Sequence, residues 1–315
     1  MAGWADGVGM SGMWTGMKRR AAAVLAALSA LSSACAPAAQ PQGAVAKAAK
    51  PALWKLSDAD TDIYLFGTIH MLPEGMEWRT EALDRAIAEA DELVLETELE
   101  GNVQRAAKAM ANMSMSPGLP PLLERVPPGK REALAKLIEE NGFPAGSLDR
   151  LETWAAALAL LRSSLGKIGL KTEAGVERGL EAVLKKGASR ISGLETVEQQ
   201  LGYFDTLSED AQRALLAGMV ENPSGTKTEF EAMMNAWASG DTDAIAVTFD
   251  SETALSPELR QVLMTRRNAA WADWVAKRME QPGTVMVAVG AGHLAGKDSV
   301  QAMLAARGLK AERVQ

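Results

Sequence analysis

Hydrophobic and polar positions along this chain follow two periods, and the predicted elements change where the period changes. Ala52 to Leu56 and Ile63 to Phe66 are β-type runs around the polar stretch Ser57-Asp58-Ala59-Asp60-Thr61, which predicts a hairpin. Within 79–90 the apolar residues Leu83, Ala86, Ile87 and Ala90 fall at helical spacing, and Leu93-Val94-Leu95 follows as a short buried-type strand. Strand, helix and strand predict a βαβ unit, which needs a parallel sheet and a right-handed crossover.

From 103 to 187 β-type runs almost vanish. Helical patterns there are punctuated by Pro117, Pro120-Pro121, Pro127-Pro128 and Pro144. The stretch reads as a helical insertion that flanks a cleft without supplying its central chemistry. Its last helix, Glu173 to Lys186, leads into the short strand Arg190-Ile191-Ser192. Further on, Ser256-Pro257-Glu258 supplies an N-cap, an N1 proline and an early acid for a helix running to Arg278. Val285 to Val289 is a buried strand, Ser299 to Arg307 a helix and Lys310 to Val314 a final edge strand. The expectation is an α/β fold over 51–315: a central, mostly parallel sheet with flanking helices and the insertion.

The N-terminus departs from this pattern. Lys18-Arg19-Arg20 precedes the apolar stretch Ala21 to Ala34, which ends in small residues before Cys35. Such a stretch is too short to remain as a membrane span. It resembles a bacterial lipoprotein signal in which Cys35 is lipidated, although Ser32 stands where leucine is usual. Cleavage after Ala36-Pro37-Ala38 is the alternative. Residues 1–16 read as sequence upstream of the true start, and Ala36 to Lys50, rich in Ala, Pro and Gln, as a tether. The chain is thus expected to be exported to the periplasm and membrane-anchored through lipid.

Charge and cysteine count narrow the chemistry. With 33 basic and 40 acidic residues the formal charge is −7, and no basic block could track a row of phosphates, so nucleic acid is not an expected partner. Cys35 is the sole cysteine, which leaves His and carboxylate as the ligands for any metal.

The two histidines of the chain occupy matching places. Ile63 to Phe66 runs into Gly67-Thr68-Ile69-His70, and Val285 to Val289 runs into Gly290-Ala291-Gly292-His293. With 28 glycines in 315 residues, chance rarely puts a glycine three residues before both. The glycines Gly67 and Gly290 allow a sharp turn or a close backbone approach at each strand end. In open α/β sheets ligands bind beyond the carboxyl ends of the strands. One sheet would there gather His70, Glu96, Glu195 and His293. Two His and a carboxylate suit a hydrolytic metal site, and without metal the same groups could act as general acid and base. Arg267, on the Leu259, Leu263, Trp271, Trp274 stripe of its helix, needs a partner, which a substrate anion, a site carboxylate or a structural ion pair would provide. Asn268 is its neighbour. A strand-end histidine can instead be a satisfied polar group, and methionines such as Met110, Met113, Met115, Met233 and Met234 read as core filler.

Together Leu65 to Pro73, Leu93 to Thr97, Gly193-Leu194-Glu195-Thr196 with Gln199, Arg267-Asn268 and Gly290 to Leu294 resemble the ordered motifs of the TraB/GumN family across nearly all of 52–314. That family is similar to the Tiki proteins, metal-dependent proteases with paired Gly-x-x-His motifs, and more distantly to erythromycin esterase and ChaN-like proteins. The resemblance implies an α/β domain whose cleft holds His70, His293 and Glu96. It also implies a divalent ion (Mn, Co or Zn) and a peptide or other small envelope substrate. In that reading Glu96 is a ligand or the base, Glu195 and Asn268 assist it, and Arg267 steadies substrate or a developing oxyanion. A metal-free His/Glu esterase-like hydrolase and a non-catalytic envelope binding protein are the alternatives.

Overall fold

In the computed structural model the described residues are 48–98, 103–186, 190–220, 225–250 and 256–315. Cys35, the signal segment and most of the tether lie outside them. Six strands form one sheet: β1 (Leu53–Ser57), β2 (Thr61–Thr68), β4 (Glu92–Leu95), β6 (Arg190–Gly193), β7 (Gly283–Gly290) and β8 (Glu312–Arg313), in the order β6-β4-β7-β2-β1-β8. Two short strands, β3 (Leu72–Pro73) and β5 (Leu170–Lys171), pair separately. The four strands from β6 to β2 are parallel, and β1 runs antiparallel to both β2 and β8.

Local chemistry explains the hairpin. Asp58 Oδ1 accepts hydrogen bonds from the backbone N–H of Asp60 (3.1 Å) and of Thr61 (2.9 Å), closing the turn that sets Leu53 opposite Phe66 and Ser57 opposite Asp62. The expected strand–helix–strand unit is present, with helix Glu81–Glu89 capped by Thr80, but β7 lies between its two strands. Five successive apolar residues, Val285 to Val289, suit β7 to that place, because a central parallel strand is covered on both faces.

Alternate residues feed two cores. Tyr64, Phe66, Leu93, Leu95, Met286 and Ala288 pack on one face, against helices that include Glu81–Glu89 and Thr153–Lys167. Ile63, Leu65, Val94, Val285, Val287 and Val289 face the other side, where helices Arg266–Arg278 and Val300–Ala305 cover them. The edge strand β8 carries the exposed charges Glu312 and Arg313, which discourage further pairing. Among the described residues, 103–186 sends no strand into the central sheet, and no helix is long and apolar enough to cross a membrane.

Candidate functional site

Parallel pairing fixes which strand ends meet. Thr68 is level with Gly290, and Leu95 is level with both Ala288 and Gly193, so β2, β7, β4 and β6 end on one rim. His70, His293, Glu96 and Glu195 each follow one of these ends and are all buried. The motif glycine works through close approach. Gly67 has no left-handed φ, and a Cβ there would stand 3.1 Å from Ala291 Cα, in the turn that carries His293. The Gly67 carbonyl accepts from Trp237 Nε1 at 2.8 Å, and the Gly290 N–H donates to Glu96 Oε1 at 2.8 Å.

Arg267 lies at the centre of the cluster. It follows a π-helical turn, Gln261–Thr265, in an otherwise continuous helix that Ser256 caps as expected. Such turns often re-aim side chains at functional sites. Its Nε and Nη2 fork onto Glu195 Oε1 and Oε2, each at 2.9 Å, and Nη2 also donates to Glu96 Oε2 at 2.6 Å. Nη1 donates to the Leu263 carbonyl at 3.4 Å and stands 3.3 Å from His293 Nε2. With 2% of its surface exposed, Arg267 is engaged by the protein. Burial opposes its charge, but Glu96 and Glu195 outweigh that and raise its pKa above the ordinary guanidinium value.

The remaining partners complete the shell. Glu96 Oε2 accepts from Gln200 Nε2 at 3.1 Å, while Glu195 Oε1 accepts from Trp271 Nε1 at 3.0 Å and Tyr203 Oη at 3.3 Å. Burial works against the Glu96 carboxylate, yet Arg267, the two histidines and the Gly290 N–H together hold its pKa down to about 2. Burial, aided by Arg267, lowers His293 to about 3, so its imidazole is neutral near pH 7. Burial and Glu195 push the Tyr203 phenol up to about 12.

Both imidazoles are backed on Nδ1 by an oxygen. His293 Nδ1 meets Asn268 Oδ1 at 2.5 Å, and Asn268 Nδ2 in turn donates to the Asp298 carbonyl at 2.7 Å. His70 Nδ1 meets Glu177 Oε1 at 2.5 Å, a close polar contact off the line of a directed hydrogen bond. Glu177 comes from helix Val176–Lys186, within the stretch expected to supply no central chemistry. That helix is seated on the His70 strand end: the Val176 N–H donates to the Ile69 carbonyl at 3.1 Å, and a Cβ on Gly175 would fall 2.3 Å from the His70 carbonyl oxygen.

The chemistry of this donor set fits a divalent ion. His293, held on Nδ1 by Asn268, presents Nε2, the arrangement usual for metal-ligating histidine. His293 Nε2 and Glu96 Oε1 are 3.9 Å apart, within the span of two bonds of about 2.0–2.1 Å each. Three buried carboxylates, Glu96, Glu177 and Glu195, stand beside the two imidazoles and one guanidinium in these contacts, so both oxygen and nitrogen ligands are at hand. Among the described residues no three His, Cys, Asp or Glu side chains stand close enough to enclose an ion as they are.

Glu96, Glu195, Arg267, Asn268 and His293 are thus joined by direct contacts, and His70 stands near enough to influence Glu96 and His293 electrostatically. Glu177, Gln200, Tyr203, Trp237 and the cation-stacking role of Trp271, whose ring lies 4.6 Å from the Arg267 guanidinium, were not anticipated. Gln200 was findable: with Val197, Leu201 and Phe204 it sits on the buried stripe of its helix, the signal that singled out Arg267. Glu177 borders the stripe of Val176, Leu180 and Leu184 and gives no comparable signal.

Comparison with known proteins shows which chains this one is similar to. The chain is 28% identical over 241 residues to the uncharacterized protein YbaP of Escherichia coli (strain K12), covering 76% of this chain and 87% of YbaP. It is 23% identical over 263 residues to an uncharacterized protein of Treponema pallidum (strain Nichols), covering 78% of each. No solved structure matches. Residues 52–313, which contain the whole cluster, match the TraB/PrgY/gumN family, and the chain belongs to it.

Proposed function

We propose that the protein is a divalent-metal-dependent hydrolase of peptides or similar small molecules in the bacterial cell envelope. The observation that carries this reading is two buried imidazoles, each with an oxygen 2.5 Å from Nδ1, beside an ionised Glu96. His70, His293 and Glu96 would hold the ion, which when bound supplies Lewis-acid polarisation of a carbonyl and a water of lowered pKa. Asn268 and Glu177 fix the ring orientations. Glu195 fixes Arg267, and Arg267 fixes Glu96, so Arg267 acts here as a positioning residue. Glu96 is a carboxylate above about pH 2, able to accept a proton from attacking water. The apolar segment before Cys35 supports export, with lipid on that cysteine as the anchor.

Metal analysis of the purified mature protein tests this. One divalent ion per chain is expected, lost in His70→Ala and His293→Ala. Cleavage of a peptide library should stop on chelation and return with Mn, Co or Zn. Turnover that persists in protein stripped of metal would overturn the metal reading. It would favour a His70–Glu177 base acting directly, a reading supported by Arg267 Nη1 standing 3.3 Å from His293 Nε2.

A further inference from the structure

A cavity of about 280 Å³ opens beside the cluster, and its walls are mostly apolar, with Arg162 and Ser114 among the polar residues that line it. It begins at the rim of the sheet, where Thr68, His70 and Gly292 line it. From there it runs between helices of the 103–186 stretch and the two helices Gly225–Ala238 and Thr242–Asp250. Met110, Leu158, Leu165, Phe230, Met233 and Ile245 form the walls. Met71, Ala159 and Thr172 in its lining are half-buried, so the space communicates with solvent.

Protein interiors are close-packed, and unfilled apolar space costs stability in proportion to its volume. Here the space opens to solvent, so an apolar group that enters it gains by taking the apolar wall out of contact with water. A dry cavity of roughly 150 Å³ admits benzene, so this one has room for a large side chain. Met110 and Met233, which sequence reasoning assigned to core filling, are on its wall, where flexible, polarizable thioethers adapt to aliphatic and aromatic shapes alike. His70 is the histidine that lines this cavity, so an apolar group seated there lies next to it.

We propose that this cavity is the specificity pocket for one aliphatic or aromatic side chain of a peptide substrate, next to the bond that is cleaved. The cleavage part rests on the hydrolase reading; the binding part does not. The test uses the full chain with N-acetyl-L-methioninamide, N-acetyl-L-phenylalaninamide and N-acetyl-L-glutaminamide as probes in ligand-observed NMR, beside mass-spectrometric profiling of peptide cleavage. The two apolar amides are expected to bind at least about tenfold more tightly than the glutamine amide, the scale on which a pocket discriminates such groups. Ala159→Leu, which fills the space, should weaken them about as much while leaving the thermal midpoint unchanged or higher. Met233→Ala should shift preference toward phenylalanine. Equal binding of the three probes, or binding indifferent to Ala159→Leu, overturns the pocket. If the binding pattern holds and no peptide is cut, the pocket stands and the hydrolase reading fails. If peptides are cut with no apolar preference, hydrolysis stands and the pocket fails.

Discussion

His293 Nδ1 lies 2.5 Å from Asn268 Oδ1, and this contact decides the tautomer of a fully buried imidazole. An amide oxygen only accepts, so Nδ1 carries the hydrogen, and the Asn268 amide is itself oriented by its bond to the Asp298 carbonyl. Nε2 therefore presents a lone pair. Asn268→Ala should reduce metal affinity and turnover about 10–100-fold, the usual cost of losing an outer partner of a ligating histidine. It should also cost about 1–3 kcal/mol in urea denaturation for the unsatisfied ring N–H. Unchanged affinity would show that His293 does not depend on Asn268.

Glu177 Oε1 lies as close to His70 Nδ1 as Asn268 Oδ1 does to His293 Nδ1, at 2.5 Å, though off the line of a directed hydrogen bond. Glu177→Gln keeps the shape and removes the charge, so it should lower kcat about 10–100-fold with little change in KM. An equal loss carried by KM alone would assign Glu177 to substrate binding.

Arg267 ties two buried carboxylates together. Arg267→Met leaves both without their cation and should destabilise the fold by about 3–5 kcal/mol, whereas a solvated pair would cost no more than about 1 kcal/mol. Arg267→Lys cannot reproduce the fork onto Glu195 and should recover part of the loss. Chemical denaturation of the three proteins measures the order, and a Met variant as stable as the parent would contradict the network.

Acid should weaken the metal-free protein in a defined window. In the unfolded chain the His293 imidazole takes a proton near pH 6.5, but in the folded one only near 3. Between those values the unfolded state binds the extra proton, so stability falls as pH falls, by up to roughly 1.4 kcal/mol per pH unit from this group. Glu96, lowered to about 2 from an ordinary 4.5, adds a second loss in the same direction below about pH 4.5. Denaturation midpoints at pH 7.5, 6.5 and 5.5 should decline below 6.5 in the parent and less steeply in His293→Gln; parallel profiles would sink the assignment.

Two glycines give opposite expectations. A Cβ at Gly175 meets the His70 carbonyl oxygen at 2.3 Å, so Gly175→Ala must move backbone beside His70 and should cost about 1–3 kcal/mol together with activity. A Cβ at Gly166 meets nothing within 4 Å, and Gly166→Ala in its helix should be neutral or stabilising by up to about 1 kcal/mol. Thermal midpoints of the pair decide it.

Much of this was legible in the residue order, because the relevant signals are local. Period-2 and period-3.6 patterns depend on near neighbours, so the hairpin, helix Glu81–Glu89, strand β7 and the Ser256 cap could be read directly. Burial on both faces wrote β7 as an unbroken apolar run, and close approach of backbone wrote a glycine before His70. What tertiary structure alone decided is non-local. Nothing in the sequence orders β7 between β4 and β2, since strand order depends on how helices pack across both faces. Glu177 meets His70 only because helix Val176–Lys186 seats its first turn on the end of β2. Met233 is buried in the main core and Met110 packs against it, as their apolar character predicts, and both also line the cavity. That they border a cavity is set by the spacing of helices far apart in the chain.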